Sequence, residues 1–234
     1  MVFRFPGFPD EVSDVIELPD IGELLMYPAF HAISPEHYLK FATDFQRLLL
    51  FKTPLTNDRR FITIRSGVWL LEPGTRSHVN RYGDWHVDGT LNERLEPEQN
   101  KFILSSNCSA LTEFSADPIE IEASCDDSCR SMVKRICSNP QEFPIKAQPI
   151  EPCRIYTFRN HIHRAVDPRR VEFRFFFRVE ECDTQRPSTE RPVSRLTLRE
   201  CATGEDLLNV EYSKGKVSVY YPKAISNCNS VEEG

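Results

Sequence analysis

The stretch Val171 to Glu180, VEFRFFFRVE, constrains this chain more than any other. It begins as a strand with alternating faces: Val171, Glu172, Phe173, Arg174. Three consecutive phenylalanines, Phe175, Phe176 and Phe177, then break the alternation. A strand that is apolar on both faces has to be covered on both faces. The chain must therefore supply at least two layers around this strand, which excludes a bare single sheet. Arg174 lies in the middle of the same strand. Drawn inside, its guanidinium needs an anion.

Strand patterns fill the region around it. Phe61-Ile62-Thr63-Ile64, Val68-Trp69-Leu70-Leu71, Phe102-Ile103-Leu104, Leu111-Thr112-Glu113-Phe114, Ile119-Glu120-Ile121 and Arg154 to Phe158 all read as short β elements. Many short strands with turns between them point to a sandwich or barrel. Helix signals flank them. Ser34-Pro35-Glu36 places an N-cap before a proline at the first helical position. Tyr38, Phe41, Phe45, Leu48 and Leu49 then share one face to about residue 50. A second helix is expected over about 126–138, stopped by Asn139-Pro140. Residues 1–33 are Pro-rich and read as irregular. The polar, Pro-bearing stretch 183–192 reads as a linker. Beyond it, strands are expected near 193–199, 207–212 and 216–221, the last two joined by Ser213-Lys214-Gly215. The expected organisation is a domain over 1–182, with its core at about 60–180, and a small β extension over 183–234.

Length and composition narrow the class. The 234 residues can bury a core without staples, and 40% apolar with 27% charged residues is ordinary globular usage. The net charge of −6 argues against bulk-charge binding of nucleic acid. The longest dense apolar run is Leu48 to Phe51, far short of a membrane span. Met1 to Asp10 has no charged region followed by an apolar one, so an intracellular, cytoplasmic protein is expected. The eight cysteines are then expected as reduced thiols. Cys125, Cys129 and Cys137 are spaced like a metal cluster. However, Cys129, Met132, Val133, Ile136 and Cys137 fall at helical spacing and read as a core face.

Two histidine motifs carry the chemistry. Asp84-Trp85-His86-Val87-Asp88 contains His-x-Asp, and on extended backbone residues i and i+2 point the same way. His86 and Asp88 can therefore hold one ion from one side. Seventy-five residues past Asp88 comes Asn160-His161-Ile162-His163-Arg164, and Arg174 follows His163 by eleven residues. Two histidines and one carboxylate form the facial triad that holds ferrous iron and leaves positions open for a chelating co-substrate and oxygen. A buried arginine can pair with a distal carboxylate of that co-substrate through two parallel hydrogen bonds. His161 and His163 share a strand face, so either can supply the distal imidazole. The offset to Arg174 favours His163, leaving His161 to line a substrate pocket.

The set His86-x-Asp88, His163, Arg174 resembles the Fe(II)/2-oxoglutarate-dependent dioxygenase superfamily over about residues 60–180. The resemblance extends to Arg81-Tyr82-Gly83-Asp84-Trp85 before His86 and to Ile155 to Phe158 leading into His161-Ile162-His163-Arg164-Ala165. It implies a mainly β fold with flanking helices around a double-stranded β-helix, the jelly-roll or cupin-like core. It implies His86, Asp88 and His163 as iron ligands and Arg174 as partner of the 5-carboxylate of 2-oxoglutarate. The implied activity is oxidation of a substrate by O2, a hydroxylation or demethylation, coupled to decarboxylation of 2-oxoglutarate to succinate. A small molecule or a protein side chain is the expected substrate, with Arg76, Asn80 and Arg81 placed to reach it. Two alternatives share the barrel: a non-catalytic cupin-like binding protein and a zinc-dependent hydrolase. The late arginines Arg154, Arg159, Arg164, Arg169, Arg170, Arg174 and Arg178 would sit near one end of that core; they read as a solvated rim, with contact to an anionic substrate as the alternative.

Overall fold

The computed structural model describes residues 1–56, 61–71, 73, 84–88, 99–124, 126–183 and 190–192, with the backbone of 209–213 and 216–220. The described strands are β1 (Val2–Phe5), β2 (Asp10–Glu11), β3 (Phe30–Ile33), β4 (Phe61–Leu71), β5 (Gln99–Ser105), β6 (Glu113–Ser115), β7 (Ile119–Glu122), β8 (Ala147–Pro149), β9 (Tyr156–Phe158), β10 (His163–Arg164), β11 (Glu172–Cys182), β12 (Asn209–Ser213) and β13 (Lys216–Tyr220). The helices are α1 (Ile21–Leu24), α2 (Pro35–Phe41), α3 (Asp44–Lys52) and α4 (Cys129–Ser138). The protein is mainly β with flanking helices and antiparallel sheets.

A six-stranded sheet runs β2-β9-β5-β11-β4-β3, and a three-stranded sheet runs β10-β6-β8. The phenylalanine run lies in β11, hydrogen-bonded to β4 on one side and β5 on the other. Phe175, Phe177 and Val179 point to one face of the large sheet. There they join Phe102, Leu104, Ile64 and Val68, with Leu24, Tyr38 and Leu49 from the three N-terminal helices. Phe176 points to the other face and meets Ile103, Tyr156, Phe158 and, from the small sheet, Phe114. The broken alternation therefore marks a strand between two cores, as expected. On the far side of the small sheet, α4 packs Cys129, Met132, Val133 and Ile136 against Phe5, Ile119, Ile121 and Ile162.

Several local readings need correction. The first helix is two helices, broken at Ala42. Thr43 and Gln46 form a capping box, in which the Thr43 hydroxyl accepts the Gln46 N–H while the Gln46 side chain accepts the Thr43 N–H. The strand signals at 61–64 and 68–71 are one strand. Arg65-Ser66-Gly67 looks like a turn in sequence, but Gly67 is a close-approach position: a Cβ there would lie 3.0 Å from the Ala29 Cβ. Residues 1–33 contain three short strands and a helix rather than irregular chain. Cys137 is exposed, so only Cys129 of the expected pair faces the core. β12 and β13 pair antiparallel as expected, while Lys214-Gly215 and the strand expected near 193–199 lie outside the described residues. No described helix is long and apolar enough to cross a membrane.

Candidate metal centre

The site forms where the segment 84–88 meets β10. The His86 N–H donates to the His163 carbonyl at 2.8 Å, and the His163 N–H donates to the His86 carbonyl at 2.9 Å. A mutually bonded antiparallel pair puts both side chains on one face. Their ring centroids are 4.5 Å apart. Which face they take follows from their neighbours. Trp85, Val87 and Ile162 pack outward against the α4 cluster, so alternation turns His86, Asp88, His161 and His163 inward.

Asp88 completes the group. Its Oδ1 lies 3.6 Å from His163 Nε2 and 3.8 Å from His86 Nε2. One donor atom from each of the three residues fits within 4.8 Å, and among the described residues they are the one group of this kind. The backbone sets the tautomers. His86 Nδ1 is 2.9 Å from the Asp84 carbonyl, and His163 Nδ1 is 3.0 Å from the His161 carbonyl. A carbonyl accepts only, so each Nδ1 donates to it, which leaves each Nε2 as the ring atom that faces Asp88. His161 is arranged the opposite way: its Nδ1 accepts the Arg159 N–H at 3.0 Å. Its Nε2 therefore carries the proton, and His161 is not in the three-residue group.

The surroundings are apolar and charged by turns. Phe114 and Phe158 flank the His163 ring at 5.3 and 5.5 Å between centroids. Burial, then the neighbouring His163, pushes the His86 imidazole down to about 4. Burial, then His163, Arg159 and Lys101, pushes His161 down to about 4 as well. Burial alone would raise the Asp88 carboxyl, but Arg178 and then Lys101 outweigh it and hold the carboxyl well below the usual carboxylate range. Arg178 Nη2 is 2.8 Å from Asp88 Oδ2 and also contacts Glu180. Lys101 Nζ is 3.9 Å from the same Oδ2, with its side chain 1% exposed.

Arg174 lies on the same interior face of β11 as Phe176 and Arg178. Its guanidinium stands over the Phe176 ring at 5.1 Å and donates to the Ala110 carbonyl at 3.2 Å. Arg76, Asn80 and Arg81 lie outside the described residues. Of the late arginines, Arg159, Arg169 and Arg170 are exposed, as expected of a rim. Arg178 is not; its side chain is 19% exposed against Asp88. The signal for it was the alternation itself, since positions 174, 176, 178 and 180 share a face. Lys101 carried the same signal two residues before Ile103 on β5, hidden because a lysine next to an apolar run reads as a strand flank.

Fold and site together define a mainly β protein with flanking helices and antiparallel sheets, compatible with a β-sandwich, in which a carboxylate and two imidazoles are gathered. Compared with known proteins, the chain matches no family model, no curated protein and no solved structure.

Proposed function

We propose that this protein is an Fe(II)/2-oxoglutarate-dependent oxygenase built on a double-stranded β-helix. The observation that carries the reading is the pair of Nε2 atoms, each turned toward Asp88 Oδ1 by an Nδ1–carbonyl contact. That donor set suits a ferrous ion with open positions. The strand order supports the fold assignment: β4, β11, β5 and β9 adjoin in one sheet, while the 84–88 segment, β10, β6 and β8 adjoin in the other. Apart from β6 and β8, which pair with each other in the small sheet, these elements alternate between the two sheets along the chain, as in a jelly roll.

In this reading His86, Asp88 and His163 hold the iron. Iron held there with 2-oxoglutarate would supply O2-dependent oxidation of a substrate, coupled to decarboxylation of 2-oxoglutarate to succinate and CO2. The protein's own part is geometric. Trp85, Val87 and Ile162 lock the ligand face inward, Phe114 and Phe158 exclude water beside His163, and Arg174 takes the distal carboxylate of 2-oxoglutarate. The substrate is a small molecule or a protein side chain.

One observation favours a second reading, a binding protein without turnover. Arg178 lies 2.8 Å from Asp88 Oδ2 and balances its charge, so the pair can stand as a structural ion pair. Succinate release from 2-oxoglutarate by purified protein with Fe(II) and ascorbate separates the two. Iron-dependent release that disappears in His86→Ala and Asp88→Ala supports the oxygenase. Absence of release together with absence of iron binding leaves the structural pair.

A further inference from the structure

The charges around Asp88 carry a second consequence. Four ionisable side chains meet on the interior faces of β5, β11 and the 84–88 segment: Lys101, Arg178, Asp88 and Glu180. Lys101 and Glu180 are directly paired across β5 and β11, Glu180 contacts Arg178, and Arg178 contacts Asp88. Lys101, Glu180 and Asp88 are 1%, 10% and 20% exposed at the side chain. With their ordinary charges the four sum to zero. A divalent ion on His86, Asp88 and His163 adds two positive charges that neutral imidazoles do not offset. It also draws the Asp88 carboxylate away from Arg178 and Lys101. In a poorly solvated interior this favours uptake of an anion.

We propose that Lys101 and Arg178 form an oxyanion seat beside the metal position, which takes the carboxylate, sulfonate or phosphate group of a small ligand once metal has engaged Asp88. The inference rests on the metal reading of the site. Lys101 supplies a compact point charge, and Arg178 a planar fork. Phe158 closes the seat on one side, its ring centroid 5.7 Å from Lys101 Nζ. Arg174 stands further along the same face of β11, four residues from Arg178. Its carboxylate partner and the anion on the seat are therefore different groups. The seat is placed for the acid group of the substrate itself, so the substrate class is a small organic acid. Metal and oxyanion also bind cooperatively, because each removes a counter-charge that the other supplies, and the coupling is reciprocal.

The test uses binding only. Co(II) replaces iron, and its visible spectrum and calorimetry report occupancy. Sulfate is the probe, titrated into metal-free and Co(II)-loaded full-length protein. Sulfate is expected to bind at least about tenfold more tightly to the loaded protein. Lys101→Met, which keeps the buried stem, is expected to lose that gain while still binding Co(II); Arg178→Lys is a second variant that keeps the charge but not the fork. Sulfate and 2-oxoglutarate bound together assign the seat to the substrate. Competition between them overturns the assignment of the seat to the substrate. Equal sulfate affinity with and without Co(II), or an unaffected Lys101→Met protein, overturns the proposal. Failure of Co(II) to bind at all overturns the metal reading, and the seat falls with it.

Discussion

Replacing Asp88 with Asn removes one charge from the interior and leaves the shape almost unchanged. In the wild-type protein that carboxylate lies 2.8 Å from Arg178 and 3.9 Å from Lys101. At an effective dielectric near 20 the gross attractions are about 6 and about 4 kcal/mol. Most of this is offset by the desolvation of the charges in the folded state. The net loss on deleting one partner is set by the cations left behind, typically about 3–5 kcal/mol. Arg178 retains Glu180, so the lower end applies, about 3 kcal/mol. For a domain of this size that lowers Tm by roughly 6–12 °C. The assay is urea and thermal unfolding at pH 7 with chelator present, in a cycle with Arg178→Met. The double variant is expected to recover part of the loss, because both buried charges are then gone. A Tm change under about 2 °C for Asp88→Asn, or additive effects of the two changes, would refute the ion-pair account.

Other outcomes follow from the same structure. His86 and His161 titrate near 4 when folded, below the usual 6.5 or so of the unfolded chain, so protons bind the unfolded state more readily. Metal-free protein should therefore be most stable above about pH 6.5 and lose about 1–3 kcal/mol per histidine as pH falls toward 4; a flat unfolding midpoint across that range would contradict the burial of both rings. Asp88 contributes in a lower window, since its depressed folded value makes its stabilisation fade only as pH drops below the usual carboxylate range. Ile162→Ala should cost about 2–5 kcal/mol in unfolding experiments and weaken metal binding, because Ile162 packs against α4 and so fixes the inward turn of His163. Thr43→Ala should cost about 1 kcal/mol by removing the α3 cap, with metal binding unchanged by calorimetry.

Much of this arrangement was readable from residue order, and the parts that were not have physical causes. The double-sided β11 was visible in three adjacent phenylalanines, because no one-sided strand tolerates them. The inward turn of His86, Asp88 and His163 was visible in their alternation with Trp85, Val87 and Ile162. The choice between His161 and His163 was not settled by spacing. It is separated by which ring nitrogen meets a backbone carbonyl and which meets an N–H, a matter of local backbone path. Lys101 and Arg178 were hidden for a different reason. A buried cation and a surface cation are the same letter; alternation along β11 and β5 gives both an interior face, and their contacts with Asp88 show that they are paired there. The break at Thr43 was legible as Thr-x-x-Gln, but the continuous apolar face from Tyr38 to Leu49 masked it. The joining of residues 61–71 into one strand follows from their unbroken pairing with β11, a partner far away in sequence.

The most direct test of the central claim is an anaerobic titration of metal-free protein with Fe(II) and then 2-oxoglutarate, followed by visible absorption. A weak charge-transfer band that needs both components, is lost in His163→Ala and persists in His161→Ala is the expected result. Tight iron binding with no spectral response to 2-oxoglutarate, or a band that survives loss of His163, would contradict it.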